Sequence, residues 1–317
     1  MSGNYLGLDV GGTKCAAVIG ADTGRIAARR EWPALASRGP DAMIADMVDH
    51  AKALLREHAA DAVGVAIGGP LDASRGMILG PPNRPGWDRV PLGERLAAAL
   101  ALPVVVEHDA SACALAEQRW GMPAARRLIY LTCGTGFGMG FVVDGAIYRG
   151  AAGQPSDIGH IRYRADGPLA YGKRGSLEAF AAGGALARLA GWRFPGRWSA
   201  QVPAGQELAR LAAAGDPDAR EVVRLNAQAV GHACAVLLDI LYPDRISLGS
   251  LALYLGEPWL QEVRAAAAAE AMPAAAAGCA IGPAILGGRV QDLAPIAAAI
   301  QTPGARPGGP APAEGTR

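Results

Sequence analysis

LGLDVGGTKCAAVIG (residues 6–20) and LIYLTCGTGFGMGFVVDG (residues 128–145) follow one plan: an apolar strand, a turn of Gly and Thr, and a second apolar strand. Residues 5–10 and 15–19 have the short apolar character of strands, and Gly11, Gly12, Thr13 and Lys14 between them predict a hairpin. Residues 128–133 and 141–143 predict the same unit again. Two copies are too few for a solenoid. They point instead to duplicated halves facing a cleft.

The second turn places Gly134, Gly136, Gly138 and Gly140 at every second position. On a strand, that spacing strips the side chains from one face and lets a ligand reach the backbone. A concavity of bare N–H groups binds anions, and Thr13 and Thr135 add hydroxyl donors, so phosphate is the ligand class both turns suit. Either turn alone is equally well explained as a tight hairpin. The matched pair favours the ligand.

Outward from the first hairpin, Met43, Ile44, Met47, Val48, Ala51, Leu54 and Leu55 recur at helical spacing and predict an amphipathic helix from Asp41 onward. A strand over 62–67, a short helix over 93–100, a strand over 104–107 and a helix over 110–120 follow. Beyond the second hairpin, residues 219–241 read as a long helix stopped by Pro243, then a strand over 245–248 and another Ala-rich helix. Strands alternating with helices make the class α/β. The 317 residues suit two domains at about 150 residues each. Residues 301–317, rich in Pro, Gly and Ala without periodicity, are expected to be a disordered tail.

Composition excludes several classes. Hydrophobic residues are 51% and charged residues 19%, enough for a sizeable core and against a disordered polyelectrolyte. A formal charge of +1 gives no field for nucleic acid or an anionic membrane. The five cysteines, Cys15, Cys113, Cys133, Cys234 and Cys279, are odd in number and contain no CxxC pair, as expected of a reducing cytoplasm. No secretory signal opens the chain, and the most apolar stretch, residues 265–288, is broken by Glu270 and Pro273.

Neither GxxxxGK[ST] nor a GxGxxG opening a helix is present, which demotes P-loop and Rossmann readings. Asp9 ends the first strand beside its turn, where a carboxylate would hold Mg²⁺ through water against nucleotide phosphates, or simply cap the turn. Asp109 stands at the carboxyl end of the strand over 104–107, where open α/β sheets bind ligands and where a general base for phosphoryl transfer to an alcohol belongs. Taken singly, it reads more readily as a helix N-cap. His160 lies three residues beyond Asp157 in SDIGHIR, and Glu178 in GSLEAF would also serve as a first-turn acid on a helix dipole.

Together these segments resemble the ROK family of sugar kinases over residues 5 to 300. The resemblance rests on LGLDVGGTK, the GGPLD loop at Gly68, NRPGWDRVPL from Asn83, EHDASACALAE around Asp109, LTCGTGFGMG, DGAIYRGA, DIGH and GSLEAFAAGGAL, in that order. It implies a two-lobed, actin-like ATPase (ribonuclease-H-like) fold with duplicated βαβ halves around a cleft. It also implies phosphorylation of a hexose 6-hydroxyl by ATP with Mg²⁺, and a homodimeric assembly. Asp109 matches the catalytic base, Asp9 the carboxylate near Mg²⁺, Gly11, Gly12, Thr13 and Lys14 the first phosphate segment, and Gly134, Thr135 and Gly136 the second. Gly69, Asn83, His108, Asp157, His160 and Glu178 fall at positions that surround the sugar in the family.

Three departures qualify the transfer. Where the family often has a CxCGxxGC cluster for structural zinc, this chain has Leu169, Tyr171 and Ser176, so no zinc is expected and packing with hydrogen bonds should hold the Tyr171 loop. The adenosine-side GGG reads Gly249-Ser250-Leu251, which leaves donor preference open. The usual Asn before the base is His108 and the usual Glu before Gly-His is Asp157, both at positions facing the sugar 3-hydroxyl. A 3-amino-3-deoxyglucose (kanosamine) would present an ammonium group to Asp157, whereas ordinary glucose with a repacked pocket, or an N-acetylhexosamine, is the plainer alternative.

The expected lobes are residues 1–115, completed by a C-terminal helix near 287–300, and residues 116–286. A sugar-responsive repressor, which in this family carries a helix-turn-helix domain ahead of the kinase-like part, is disfavoured by the phosphate strand starting at Tyr5 and by the absence of a basic footprint. A non-catalytic sugar-binding module is the remaining rival, and survival of Asp9, Lys14, Asp109 and the GTG turn argues against it.

Overall fold

The computed structural model describes residues 3–81, 86–150, 153–198 and 201–301. Two compact units divide the chain. One takes Met1–His108 and returns for the C-terminal segment from Gln291, and the other is continuous over Asp109–Val290.

In the first unit, strands β1 (Asn4–Val10), β2 (Lys14–Ala21) and β3 (Ile26–Pro33) form an antiparallel meander. Helix α1 (Gly39–Leu55) leads to β4 (Ala62–Ile67), which lies parallel to β1. Its Met43, Ile44, Met47, Ala51 and Leu54 are buried on one face, and a proline in its first turn, where no intrahelical N–H is needed, favours the start. A small sheet of β5 (Leu71–Asp72), β6 (Met77–Leu79) and β7 (Asp88–Val90) precedes α2 (Leu92–Leu100) and β8 (Val104–His108), and β8 lies parallel to β4. The main sheet has the order β3-β2-β1-β4-β8.

The second unit repeats this plan. After α3 (Asp109–Ala116) come β9 (Arg127–Leu131), β10 (Met139–Val143) and β11 (Ala146–Ile147), again an antiparallel meander. A hairpin of β12 (Leu169–Ala170) and β13 (Lys173–Arg174) leads to a helical insertion: α4 (Leu177–Ala181), α5 (Ala185–Arg193), α6 (Pro195–Trp198), α7 (Gly205–Ala213) and α8 (Pro217–Leu241). Strand β14 (Arg245–Leu248), α9 (Ser250–Glu270), α10 (Pro273–Ala277) and β15 (Ala280–Pro283) complete it. Its sheet order, β11-β10-β9-β14-β15, matches the first position by position, with β14 and β15 parallel to β9 as β4 and β8 are to β1.

Each sheet takes one helix directly onto its backbone. The chain's last described helix, α11 (Val290–Ile300), closes on the first sheet, where a Cβ on Gly64 of β4 would stand 1.9 Å from the Pro295 carbonyl oxygen. A Cβ on Gly140 of β10 would stand 2.0 Å from the Ala110 carbonyl of α3. Only glycine permits either approach.

The structure corrects several sequence expectations. Of the alternating glycines, only Gly140 lies in a strand; Gly134, Gly136 and Gly138 form a turn closed by the Gly134 N–H on the Gly136 carbonyl (3.1 Å) and the Thr132 N–H on the Gly138 carbonyl (2.9 Å). A bared strand face is therefore not what these glycines provide. The helix expected over 110–120 ends at Ala116 and widens into a π-type turn over Glu117–Gly121. Fully buried Glu117 explains the change, because its carboxylate is claimed by the amides of Ile285 and Leu286 and by the Ser247 hydroxyl (3.2 Å). All five cysteines are free thiols. Among the described residues, no helix is long and apolar enough to cross a membrane. The tail expectation falls on residues 302–317, which lie outside the described residues.

Candidate functional site

In the first unit the candidate residues gather at the carboxyl ends of its parallel strands. Val10, Ile67 and His108 stand in register across β1, β4 and β8, so Asp9, the turn Gly11–Lys14, the Gly69 loop and His108 all issue from one end of the sheet. That end is where α/β sheets hold ligands. Asp9 is half-buried. The Gly11 N–H closes the turn on the Lys14 carbonyl (3.0 Å), while the amides of Gly12 and Thr13, on exposed residues, have no backbone partner among the described residues. The Lys14 ammonium pairs with Glu31 of β3 at 2.9 Å, and Glu31 also takes Arg29 at 2.7 Å. Asn83 lies outside the described residues.

The second unit presents the equivalent arrangement. Leu131 and Leu248 pair across β9 and β14, so the turn of Gly134, Thr135 and Gly136 and the start of α9 at Ser250 leave the same end of the second sheet. Here too the first glycine's amide closes the turn, and the amides of Thr135 and Gly136 have no backbone partner among the described residues. Beside it lies a cavity of about 730 Å³ lined by Cys133, Gly134, Thr135, Gly183, Gly184, Gln206, Ser250 and Tyr254, among others. The Gly184 N–H donates to the Gly134 carbonyl (3.1 Å), which docks the start of α5 onto the turn.

Asp109 opens α3, where its Oδ1 accepts the Ala110 N–H at 2.6 Å, and it is half-buried. The N-terminal helix position read from the sequence and the strand-end position read for a general base are thus the same place.

Glu178 is the most enclosed of the candidate carboxylates, with 7% exposure. Its helix α4 is fixed at both ends. Ser176 caps the start by accepting the Ala179 N–H (3.3 Å), and buried Asn226 of α8 donates to the Phe180 and Ala182 carbonyls (2.8 and 3.2 Å) while accepting the Trp259 indole N–H (3.0 Å). The Glu178 N–H donates to the Gly159 carbonyl (2.8 Å), joining the helix to the Asp157–His160 loop. Its Oε2 accepts the Phe137 N–H at 2.7 Å, and its Oε1 lies 3.8 Å from the Arg188 guanidinium. Burial pushes the Glu178 pKa up to about 7, opposed by the Phe137 N–H and Arg188, with a further upward push from Asp157. Asp157 and His160 are exposed, and the Asp157 Oδ1 accepts the His160 N–H at 3.3 Å.

The loop whose metal ligands were expected to be missing is held by hydrogen bonds. Arg162 donates to the Arg174 carbonyl and Arg174 to the Gly167 carbonyl, each at 2.9 Å, and the Tyr163 and Arg164 amides share the Gly175 carbonyl. Of the three departures there, Leu169 and Tyr171 are exposed on the hairpin and Ser176 has become the α4 cap. Among the described residues, no three His, Cys, Asp or Glu side chains converge as a metal site.

Sequence reasoning missed Arg188, Gln206, Tyr254 and Asn226. None sits in a turn, a repeat or a glycine motif; Arg188, Gln206 and Asn226 reach the site through the packing of the helical insertion, and Tyr254 through α9. Gly183, Gly184 and Ser250 lay inside segments singled out in the sequence but had no role assigned.

Residues 5–288 match the ROK family. A glucokinase of Streptomyces coelicolor is 32% identical over 239 residues, covering 75% of this chain and 73% of that protein. An N-acetylmannosamine kinase of Salmonella typhi is 32% identical over 263 residues, covering 82% and 87%. Among solved structures, a ROK family glucokinase from Streptomyces griseus in complex with glucose and AMPPNP superposes with a TM-score of 0.81 at 28% identity, covering 94% of this chain and all of that one. With its two matching five-stranded sheets, this chain belongs to the ROK family and has the family's actin-like ATPase fold.

Proposed function

We propose that this carbohydrate kinase transfers the γ-phosphoryl group of ATP to the 6-hydroxyl of a glucose-like hexose, with Asp109 as general base. The observation that carries the reading is the pair of turns, Gly11–Lys14 and Gly134–Gly136, at the carboxyl ends of equivalent strands, each with amides left for an anion. In the reaction the sugar O6 attacks the γ-phosphorus, the bond from that phosphorus to the β,γ-bridging oxygen breaks, ADP leaves, and the hydroxyl proton passes to the Asp109 carboxylate. The Gly12, Thr13, Thr135 and Gly136 amides receive phosphate oxygens, and the 730 Å³ cavity beside the second turn takes the nucleoside. Asp9 supplies a hard oxygen donor suited to Mg²⁺ held mainly by phosphates and water, and the ion, when bound, offsets charge on the phosphoryl oxygens. His108, Asp157, His160 and Glu178 surround the sugar, together with Gly69 and Asn83. The two units act as the two lobes, and a homodimer is part of the same reading.

Within this class, the exposed Asp157 carboxylate with His108 in place of the family's Asn supports a sugar carrying a 3-ammonium group, kanosamine, over glucose. A charge-assisted hydrogen bond is about twice as strong as a neutral one, so kcat/KM for kanosamine is expected to exceed that for glucose by about fivefold or more. A preference for glucose or an N-acetylhexosamine would overturn the amino-sugar assignment and leave the kinase. Asp109→Asn is expected to lower kcat by at least ~10²-fold, and turnover at the wild-type rate would remove Asp109 as the base.

A further inference from the structure

Three segments far apart in sequence meet at Glu178. Its backbone N–H holds the Gly159 carbonyl of the Asp157–His160 loop, its Oε2 holds the Phe137 N–H directly after the Gly134–Gly136 turn, and a Cβ on Gly136 would lie 3.5 Å from that same oxygen. Gly159 is also pressed against this turn, since a Cβ there would stand 2.5 Å from the Phe137 carbonyl and 3.4 Å from Glu178 Oε2. The other carboxylate oxygen, Oε1, is buried and accepts no hydrogen bond among the described residues.

We propose that Glu178, beyond touching sugar, is a positioning residue that couples the sugar loop to the phosphate turn, so that a sugar hydroxyl donated to Oε1 tightens nucleotide binding at Gly134–Gly136. The inference rests on the kinase reading above. A carboxyl group has two oxygens on one delocalised system, and a donor arriving at one favours the ionised form, which is the stronger acceptor for the amide at the other. The charged and titratable groups facing it are Arg188 of α5, Asp157 of the sugar loop and Tyr171 of the β12–β13 hairpin. The carboxyl, with its pKa pushed up to about 7, is part-protonated near neutrality, so bound sugar has protonation to displace. Coupling of this kind is reciprocal: the nucleotide must tighten sugar binding by the same factor.

Calorimetric titration of the whole chain with AMPPNP and Mg²⁺, with and without saturating kanosamine or glucose, tests the coupling. In the wild type the sugar is expected to lower the AMPPNP Kd by about fivefold or more, and by a larger factor at pH 6 than at pH 8. Glu178→Gln keeps an acceptor for the Phe137 N–H but has no proton to lose. It should bind AMPPNP without sugar within about twofold of wild type, yet show less than about twofold tightening by sugar and no pH dependence of it. Glu178→Ala should weaken sugar-free AMPPNP binding severalfold. Full tightening in Glu178→Gln at a saturating sugar concentration would overturn the coupling and leave Glu178 a sugar contact alone. A wild type that binds no AMPPNP would overturn the kinase reading as well.

Discussion

At the residue scale, Glu178 sets a stability that depends on pH in an unusual direction for a carboxylate. Its pKa rises from 4.5 to about 7 on folding because burial disfavours the charge, so the native state binds the proton more tightly than the unfolded chain. The stabilising contribution is then fully present below about pH 4.5 and is lost as the pH rises through about 7. Its size is about 3 kcal/mol, and at about 2–4 °C per kcal/mol for a unit of this length the ligand-free Tm should fall by roughly 5–10 °C between pH 5 and pH 8 from this group. Other groups titrate in that window, so the readout is the difference between wild type and Glu178→Gln, whose Tm should lose this slope. Parallel pH profiles for the two proteins would show that the carboxyl is not buried in the uncharged form. This environment was not legible in the sequence. GSLEAF shows a first-turn acid, and nothing local reveals that the Phe137 amide and Arg188 close over it. Asp9 and Asp109 were legible, because strand ends followed by a turn or a helix are visible in the pattern itself.

At the level of elements, legibility followed how locally each element is determined. The two hairpins, α1, β4, β14 and the long α8 were readable because apolar periodicity and turn residues specify them without help from distant partners. Strand β3, with the sequence IAARREWP, has Arg29, Arg30 and Glu31 in succession on an exposed sheet edge and presents no apolar alternation. Charged edges are a common device against edge-to-edge pairing, and they erase the strand signal at the same time. The short helices α5 and α7 pack on α8 and α6 packs on α5, so their form is set by tertiary packing rather than by a local pattern. The early end of α3 is dictated by Glu117 reaching amides of Ile285 and Leu286 at the other end of its unit. Gly134, Gly136 and Gly138 were misplaced onto a strand because a spacing of two fits a strand and a closed turn equally well; only the backbone hydrogen bonds decide. The functional consequence is small, since the turn still leaves the Thr135 and Gly136 amides for an anion.

At the scale of the whole molecule, the two units repeat one sheet but differ in how the chain supplies it. Every strand and helix of the second unit comes from the continuous stretch Asp109–Val290, whereas the first unit needs β4 from near the start and α11 from near the end of the described chain. Closing a longer loop costs more entropy before any contact repays it, and contacts between distant residues form more slowly. Amides of β9, β10 and β14 should therefore gain protection before those of β1 and β4 when refolding is sampled by pulsed hydrogen exchange. Gly64→Ala sharpens the test, because its Cβ would stand 1.9 Å from the Pro295 carbonyl and must push α11 off the sheet. Overpacking of this kind costs about 1–3 kcal/mol, and here the obstacle is backbone, so the upper end is expected. The loss should be read in the exchange of β1 and β4 amides, by a factor of about 10–100, with those of β9 and β14 little changed. Simultaneous protection of both sheets, together with an equal loss in both for Gly64→Ala, would mean that the two units fold and open as one cooperative body.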